Sequence, residues 1–174
     1  MAKSSGTTRY LGLDVSLSSP GFAVIDVRDR RPCLVSARHV TTSAKQSDGV
    51  RFSVIESFVT VIAAEYNSPN GYAAIIRAEY KRPASKRQGQ TMFGAWAAVD
   101  SGLQRLGLAV TDEINDSTVK RIIGGHGKAE KDEVADGVRR ILRLGDDYVF
   151  HTDDESDACA IILAWLIEAE EIDV

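Results

Sequence analysis

Beyond Arg143 the chain contains no lysine or arginine. The 174 residues carry 21 Lys and Arg against 25 Asp and Glu, a formal net charge of −4. All 21 basic residues fall within positions 1–145 together with 15 acids, a local balance of +6, while residues 146–174 hold the other 10 acids. A basic body with an acidic end can hold a polyanion despite the acidic total, because local potential decides and the sum does not. Cysteine is scarce too. Cys33 and Cys159 lie in apolar contexts without metal-ligand spacing, which excludes a disulfide scaffold and predicts buried free thiols in a reducing compartment. Long hydrophobic runs are missing: the longest, residues 158–167, is too short to cross a bilayer. Residues 1–8 lack an apolar signal core, so a cytoplasmic protein without a membrane partner is expected. No repeat, low-complexity tract or linker divides the chain. With 44% hydrophobic and 26% charged residues, it reads as one globular domain spanning 1–174.

The apolar pattern predicts ten elements. Residues 9–15 and 22–27 read as strands joined by the turn Ser16-Leu17-Ser18-Ser19-Pro20-Gly21, and residues 34–40 as a third strand. Ser47 or Asp48 is placed to cap a helix carrying Val50, Val54, Ile55, Phe58, Val61 and Ile62 at helical spacing. A buried strand at 72–78 follows. Next comes a helix over 88–106 rich in small residues, which suit either close packing within the chain or a subunit interface, with Gly107 just past its end. Residues 108–114 read as a fifth strand, and Asp116 or Ser117 as the cap of a short helix. Helices over 129–144 and 153–169 complete the order βββαβαβααα. Three sequential antiparallel strands followed by parallel crossovers imply an α/β fold: a mixed five-stranded sheet with helices on both faces.

Four carboxylates stand where these apolar segments begin or end. Asp14 follows the first strand, Glu79 the fourth, and Asp154 and Asp157 open the last helix. Each alone has an ordinary explanation: an acid bonded to turn amides, a salt-bridged loop, or acids favoured by a helix dipole. Together they suit a metal-dependent phosphoryl-transfer site, where Mg²⁺ is held by a few carboxylates and by substrate phosphates. Asp154 and Asp157, three apart on a helix, share a face. Glu79 lies inside a run of five basic residues, Arg77, Lys81, Arg82, Lys86 and Arg87. That run reads either as a salt-bridged loop or as a lip for nucleic-acid phosphates, with Tyr80 equally suited to stack on a base or to join the core. Lys120, Lys128 and Lys131 surround Gly124, Gly125 and Gly127, where backbone amides and a helix N-terminus attract phosphate. His126 in that loop reads as incidental, the alternative being a place near the metal or a phosphate.

In order and content these motifs resemble the RuvC-type Holliday junction resolvases of the ribonuclease H-like superfamily. The matching stretches are Gly12-Leu13-Asp14, Ile75-Ile76-Arg77-Ala78-Glu79, Val119-Lys120 with Gly125-His126-Gly127-Lys128-Ala129-Glu130-Lys131, and Asp154-Glu155-Ser156-Asp157-Ala158. The resemblance implies a Mg²⁺-dependent endonuclease that resolves four-way DNA junctions by paired nicks. It implies a homodimer and two metal ions per site, with Mn²⁺ able to substitute, held by Asp14, Glu79, Asp154 and Asp157. Lys131 would assist catalysis, and Tyr80, Lys81, Arg82, Lys86, Arg87, Lys120 and Lys128 would contact DNA. Val15-Ser16 stands where bacterial members have Pro-Gly, and the loop after Glu79 lacks their junction-stacking Phe, leaving Tyr80 and Phe93 as candidates. These departures mark a divergent member, of a kind a phage could encode, which would place it in the host cytoplasm. The competing readings are a related nuclease acting on flaps, forks or RNA–DNA hybrids, and a junction-binding protein without catalysis.

Overall fold

The computed structural model describes residues 6–67, 69–80, 82–145 and 147–173. Five strands form one sheet: β1 (Thr8–Asp14), β2 (Gly21–Arg28), β3 (Arg31–His39), β4 (Ala74–Ala78) and β5 (Asp112–Ile114), in the order β3-β2-β1-β4-β5. β1, β2 and β3 pair antiparallel, and β1–β4 and β4–β5 pair parallel. Helices α1 (Asp48–Glu65) and α2 (Lys86–Gln104) cover one face, and α3 (Asp116–Ile123), α4 (Lys131–Leu142) and α5 (Asp153–Glu168) the other. The ten expected elements and the mixed sheet are all present.

The period-two pattern of β1 decides its two faces. Leu11 and Leu13 pack with Phe22, Val24, Ile55, Val59 and Val99 on the α1–α2 side, and Tyr10 with Ala23, Ile25 and Ile162 on the α5 side. α5 is apolar almost all round from Ala158 to Ala164, as a helix must be when buried between a sheet and other helices. Ile162 and Leu163 are fully buried, each stabilising by about 1.5–3 kcal/mol. Gly12 lets this helix come close: a Cβ there would overlap the Ala158 carbonyl and the Ile162 side chain.

Three sequence expectations change, and one open alternative is decided. The fifth strand is only three residues long, because Thr111 pairs with Ile75 through its side chain. Its Oγ1 accepts from the Ile75 N–H at 2.9 Å while its own N–H donates to the Ile75 carbonyl, also at 2.9 Å. The cap of α3 is Asn115, whose side chain accepts from the Ser117 N–H; Asp116 is already helical. The small residues of α2 pack against α1, where a Cβ on Gly94 would strike Phe52 and one on Gly102 would strike Val59 and Glu56, so that face is not available to a partner. Cys159 is buried as expected, but Cys33 on edge strand β3 is exposed. Among the described residues, no helix is long and apolar enough to cross a membrane.

Candidate active site

The parallel strands β1 and β4 end side by side, which places Asp14 and Glu79 at one end of the sheet. α5 begins at the same end. Its first turn sits directly on β2, since a Cβ on Gly21 would collide with the Asp154 carbonyl, and Gly21 pairs with Asp14 across the β1–β2 ladder. Two glycines, Gly12 and Gly21, therefore bring Asp154 and Asp157 up to Asp14.

Asp14 stands between two hollows. The larger, about 250 Å³, is lined by Asp14, Asp116, Lys120, Lys131 and Asp157 among others. The smaller, about 130 Å³, is lined by Asp14, Glu79, Asp116, Met92 and Trp96 among others. Glu79 is oriented at both ends: its N–H donates to the Ile114 carbonyl at 2.8 Å, and its Oε2 accepts from Asn115 Nδ2 at 2.9 Å. Lys131 at the start of α4 reaches Asp153 at 3.1 Å, which raises its pKa and tethers α4 to the first turn of α5. Lys120 lies 3.7 Å from Asp116.

The acids crowd one another. Burial pushes the Asp14 carboxyl up to about 7, with Asp157 and Asp154 adding to the rise and Lys131 opposing it. Burial likewise pushes Asp157 up to about 6, with Lys131 pulling down and Asp154 pushing up. Negative charge here is under-compensated by the protein itself, which is the electrostatic condition a divalent cation relieves. Among the described residues no three acids, histidines or cysteines already converge into a finished cage. The oxygen-rich donor set suits Mg²⁺, which keeps waters and needs few protein ligands.

These shifts have a measurable consequence. Carboxyls raised on folding keep protons that the unfolded chain has released, so their contribution to stability is full below about pH 4 and is lost as pH rises through about 7. In chelator, the urea midpoint of the wild type should fall relative to that of Asp14→Asn between pH 5 and pH 8. Parallel midpoints across that range would contradict the assigned shifts.

A profile of the crossover junction endodeoxyribonuclease RuvC family matches residues 10–165. The chain belongs to the RuvC family. It is 30% identical over 142 residues to the RuvC of Acidovorax sp. (strain JS42), covering 78% of this chain and 74% of that one. It is 29% identical over 159 residues to the RuvC of Synechococcus sp. (strain CC9605), covering 91% and 98%. The structure of Thermus thermophilus RuvC in complex with Holliday junction substrate superposes with a TM-score of 0.78 at 22% identity, over 94% of this chain and 96% of that chain, which shows a common fold. The fold is the ribonuclease H-like one expected from the motifs.

Set against the RuvC expectations, Asp14, Glu79, Asp157, Lys120 and Lys131 all line the paired hollows. Asp154 lies beside them, close enough to raise Asp14 and Asp157. Arg82, Lys86 and Lys128 are exposed, Lys128 in the turn after α3, while Arg87 is engaged with Asp48 at 2.7 Å. Lys81 lies outside the described residues. Tyr80 is 40% exposed and stacks on the more exposed Phe93 with ring centroids 4.9 Å apart, while Trp96 meets Tyr80 edge-on and lies under the Arg77 guanidinium. Sequence reasoning missed Asp116, a fifth acid lining both hollows and raising both Asp14 and Asp157. A signal existed, since Asp116, like Asp14 and Glu79, follows a strand. Reading it as a helix cap hid it.

Proposed function

We propose that this protein cuts four-way DNA junctions as a homodimer, with Asp14, Glu79, Asp154 and Asp157 holding two Mg²⁺ ions and Mn²⁺ able to replace them. The observation that carries the reading is the position of Asp14. It is shared by two hollows, with Glu79 just past β4 on one side and Asp157 of α5 on the other, in a chain of the RuvC family. Divalent ions at such a site supply water activation and stabilisation of the leaving oxygen. The residues of the chain position the substrate around that chemistry. Lys131 and Lys120, on the larger hollow, offset charge on the scissile phosphate. Arg82, Lys86 and Lys128 engage backbone phosphates further out. The exposed Tyr80–Phe93 pair, beside Glu79, offers a flat platform for a base unstacked at the junction centre.

A two-fold substrate suits a two-fold protein. Since α2 spends its small-residue face on α1, the second copy is assigned to the outer face of α1. There Val40, Val50, Val54, Phe58 and Val61 line an apolar groove of about 620 Å³. Val61→Glu should convert the dimer to a monomer in sedimentation and abolish paired cutting while leaving the fold intact. An unchanged sedimentation coefficient would remove this interface.

The experiment that tests the function compares purified protein on a synthetic junction, a fork, a flap, a duplex and an RNA–DNA hybrid with Mg²⁺. Symmetric paired nicks with 5′ phosphates on the junction are expected. Preference for the fork, flap or hybrid would replace the junction reading by that of a related nuclease. Tight junction binding without cleavage under any divalent metal would make the protein a binding module. Arg82→Ala with Lys86→Ala should weaken junction binding and lower the salt slope by about two. An unchanged slope would take those residues off the DNA path.

A further inference from the structure

The first turn of α5 contains an acid that the proposed function does not use. Asp153, Asp154 and Asp157 face solvent or the hollows, but Glu155 is 3% exposed. Helix-dipole preference explains an exposed acid at a helix start and not a buried one, because burying a carboxylate is costly unless each oxygen is satisfied. Both oxygens are satisfied, and both partners lie outside the helix. Oε1 sits 2.8 Å from Nδ1 of His39, the last residue of edge strand β3, and Oε2 accepts the His151 N–H at 2.8 Å.

The local capping that would normally hold such a turn is weak. The cap residue Thr152 makes no side-chain cap bond, and its Oγ1 is the one buried side-chain polar atom among the described residues that lacks a hydrogen-bond partner. Two further side-chain bonds involve the turn: Ser156 Oγ to the Asp153 carbonyl at 2.8 Å, which is internal to it, and Lys131 Nζ to Asp153 at 3.1 Å, which joins two exposed side chains. The buried tie of the turn to the sheet is therefore the one that Glu155 makes. The ladder shows what that fixes. His39 pairs with Gly21, and Gly21 pairs with Asp14, so His39, Gly21 and Asp14 form one row across β3, β2 and β1. The start of α5 lies along this row, with Asp154 seated on Gly21 and Glu155 tied to His39 at the far end.

We propose that Glu155 and His39 are positioning residues that pin the first turn of α5 across this row and thereby set the distance of Asp154 and Asp157 from Asp14. The inference rests on the reading of those acids as metal ligands. Groups hydrogen-bonded directly to metal ligands change metal affinity or activity by about 10–100-fold when removed, and a pair acting on the ligands through their helix turn belongs at the lower end of that range.

The test uses the full-length protein with Glu155→Ala, Glu155→Gln, His39→Ala, His39→Asn and, as a reference, Asp14→Asn. Mn²⁺ binding is measured by calorimetry without DNA, and Mg²⁺ dependence, kcat and KM on a four-way junction are measured separately, with Tm alongside. Glu155→Ala and His39→Ala are expected to weaken Mn²⁺ binding and to raise the Mg²⁺ needed for half-maximal cleavage by about tenfold. kcat should fall and KM for the junction should stay within about twofold. The amide variants, which keep hydrogen-bonding groups near the same places, should recover most of the loss. If the alanine variants lower Tm but leave metal dependence and kcat per folded molecule at wild-type values, the pair is only structural and the proposal is overturned. Asp14→Asn separates the two levels. If it loses Mn²⁺ binding while Glu155→Ala keeps it, the positioning role falls and the metal site stands. If Asp14→Asn keeps both Mn²⁺ binding and cleavage, the metal site falls and the positioning role falls with it.

Discussion

Asp14→Asn is expected to stop junction cleavage and to make the metal-free protein more stable. The two effects share one cause. The Asp14 carboxyl is partly buried at the end of β1, faces Asp157 and Asp154, and has its pKa pushed up to about 7. At pH 8 it is ionised against that opposition, so the neutral isostere Asn relieves the repulsion. About 1 kcal/mol of relief would raise Tm by about 2–4 °C for a chain of this size. The same substitution removes the carboxylate shared by both hollows, and the loss of transition-state stabilisation should cost at least about a thousandfold in kcat. Junction affinity should be retained, because Lys120, Lys131 and the exposed basic residues are untouched. A thermal melt in chelator, a gel-shift assay and a single-turnover cleavage assay read the three quantities. Cleavage within about tenfold of wild type would remove Asp14 from the centre of the site. A lower Tm in chelator would show that its carboxylate is compensated by a partner.

Much of this arrangement was legible because it is written locally. The apolar run Tyr10-Leu11-Gly12-Leu13 marked the first strand, and the apolar run after Asp157 marked the last helix. Acids at strand ends and at that helix start pointed to one end of the sheet once the crossovers were read as parallel. What remained hidden depends on pairs distant in sequence. His39 and Glu155 are 116 positions apart, and only the β3–β2–β1 ladder brings them together. The cap expected at Asp116 or Ser117 falls one residue earlier, on Asn115, and nothing in its neighbourhood announces that its side-chain nitrogen would hold Glu79. The small residues of α2 predicted close packing without naming the partner, and the partner is α1 of the same chain. Cys33 sits in an apolar stretch, yet edge strand β3 leaves it exposed, since periodicity reports which residues share a face and not which faces are covered.

Gly21→Ala should couple folding and catalysis more tightly than any substitution of a charged residue outside the site. A Cβ at this position would overlap the backbone carbonyl of Asp154 and crowd the Asp154 Cβ. Backbone cannot rotate away as a flexible side chain can, so the first turn of α5 must lift from the sheet. Overpacking of this kind costs about 1–3 kcal/mol. The lift also carries Asp154 and Asp157 away from Asp14, and a displacement of about 1 Å at a catalytic centre can cost about a hundredfold in rate. Gly49→Ala provides the control for stability, measured at concentrations where the protein is monomeric because Gly49 borders the groove assigned to the second copy. It lies in the first turn of α1 with nothing within 4 Å of the added methyl, and helix propensity there favours Ala by up to about 1 kcal/mol. The expected pattern is a Gly21→Ala protein that melts lower, still binds junctions when folded, and cleaves them about a hundredfold more slowly at saturating Mg²⁺, beside a Gly49→Ala protein with an unchanged or higher Tm. Wild-type cleavage by folded Gly21→Ala would mean that α5 tolerates being moved, and that the site does not depend on the close seat that glycine provides.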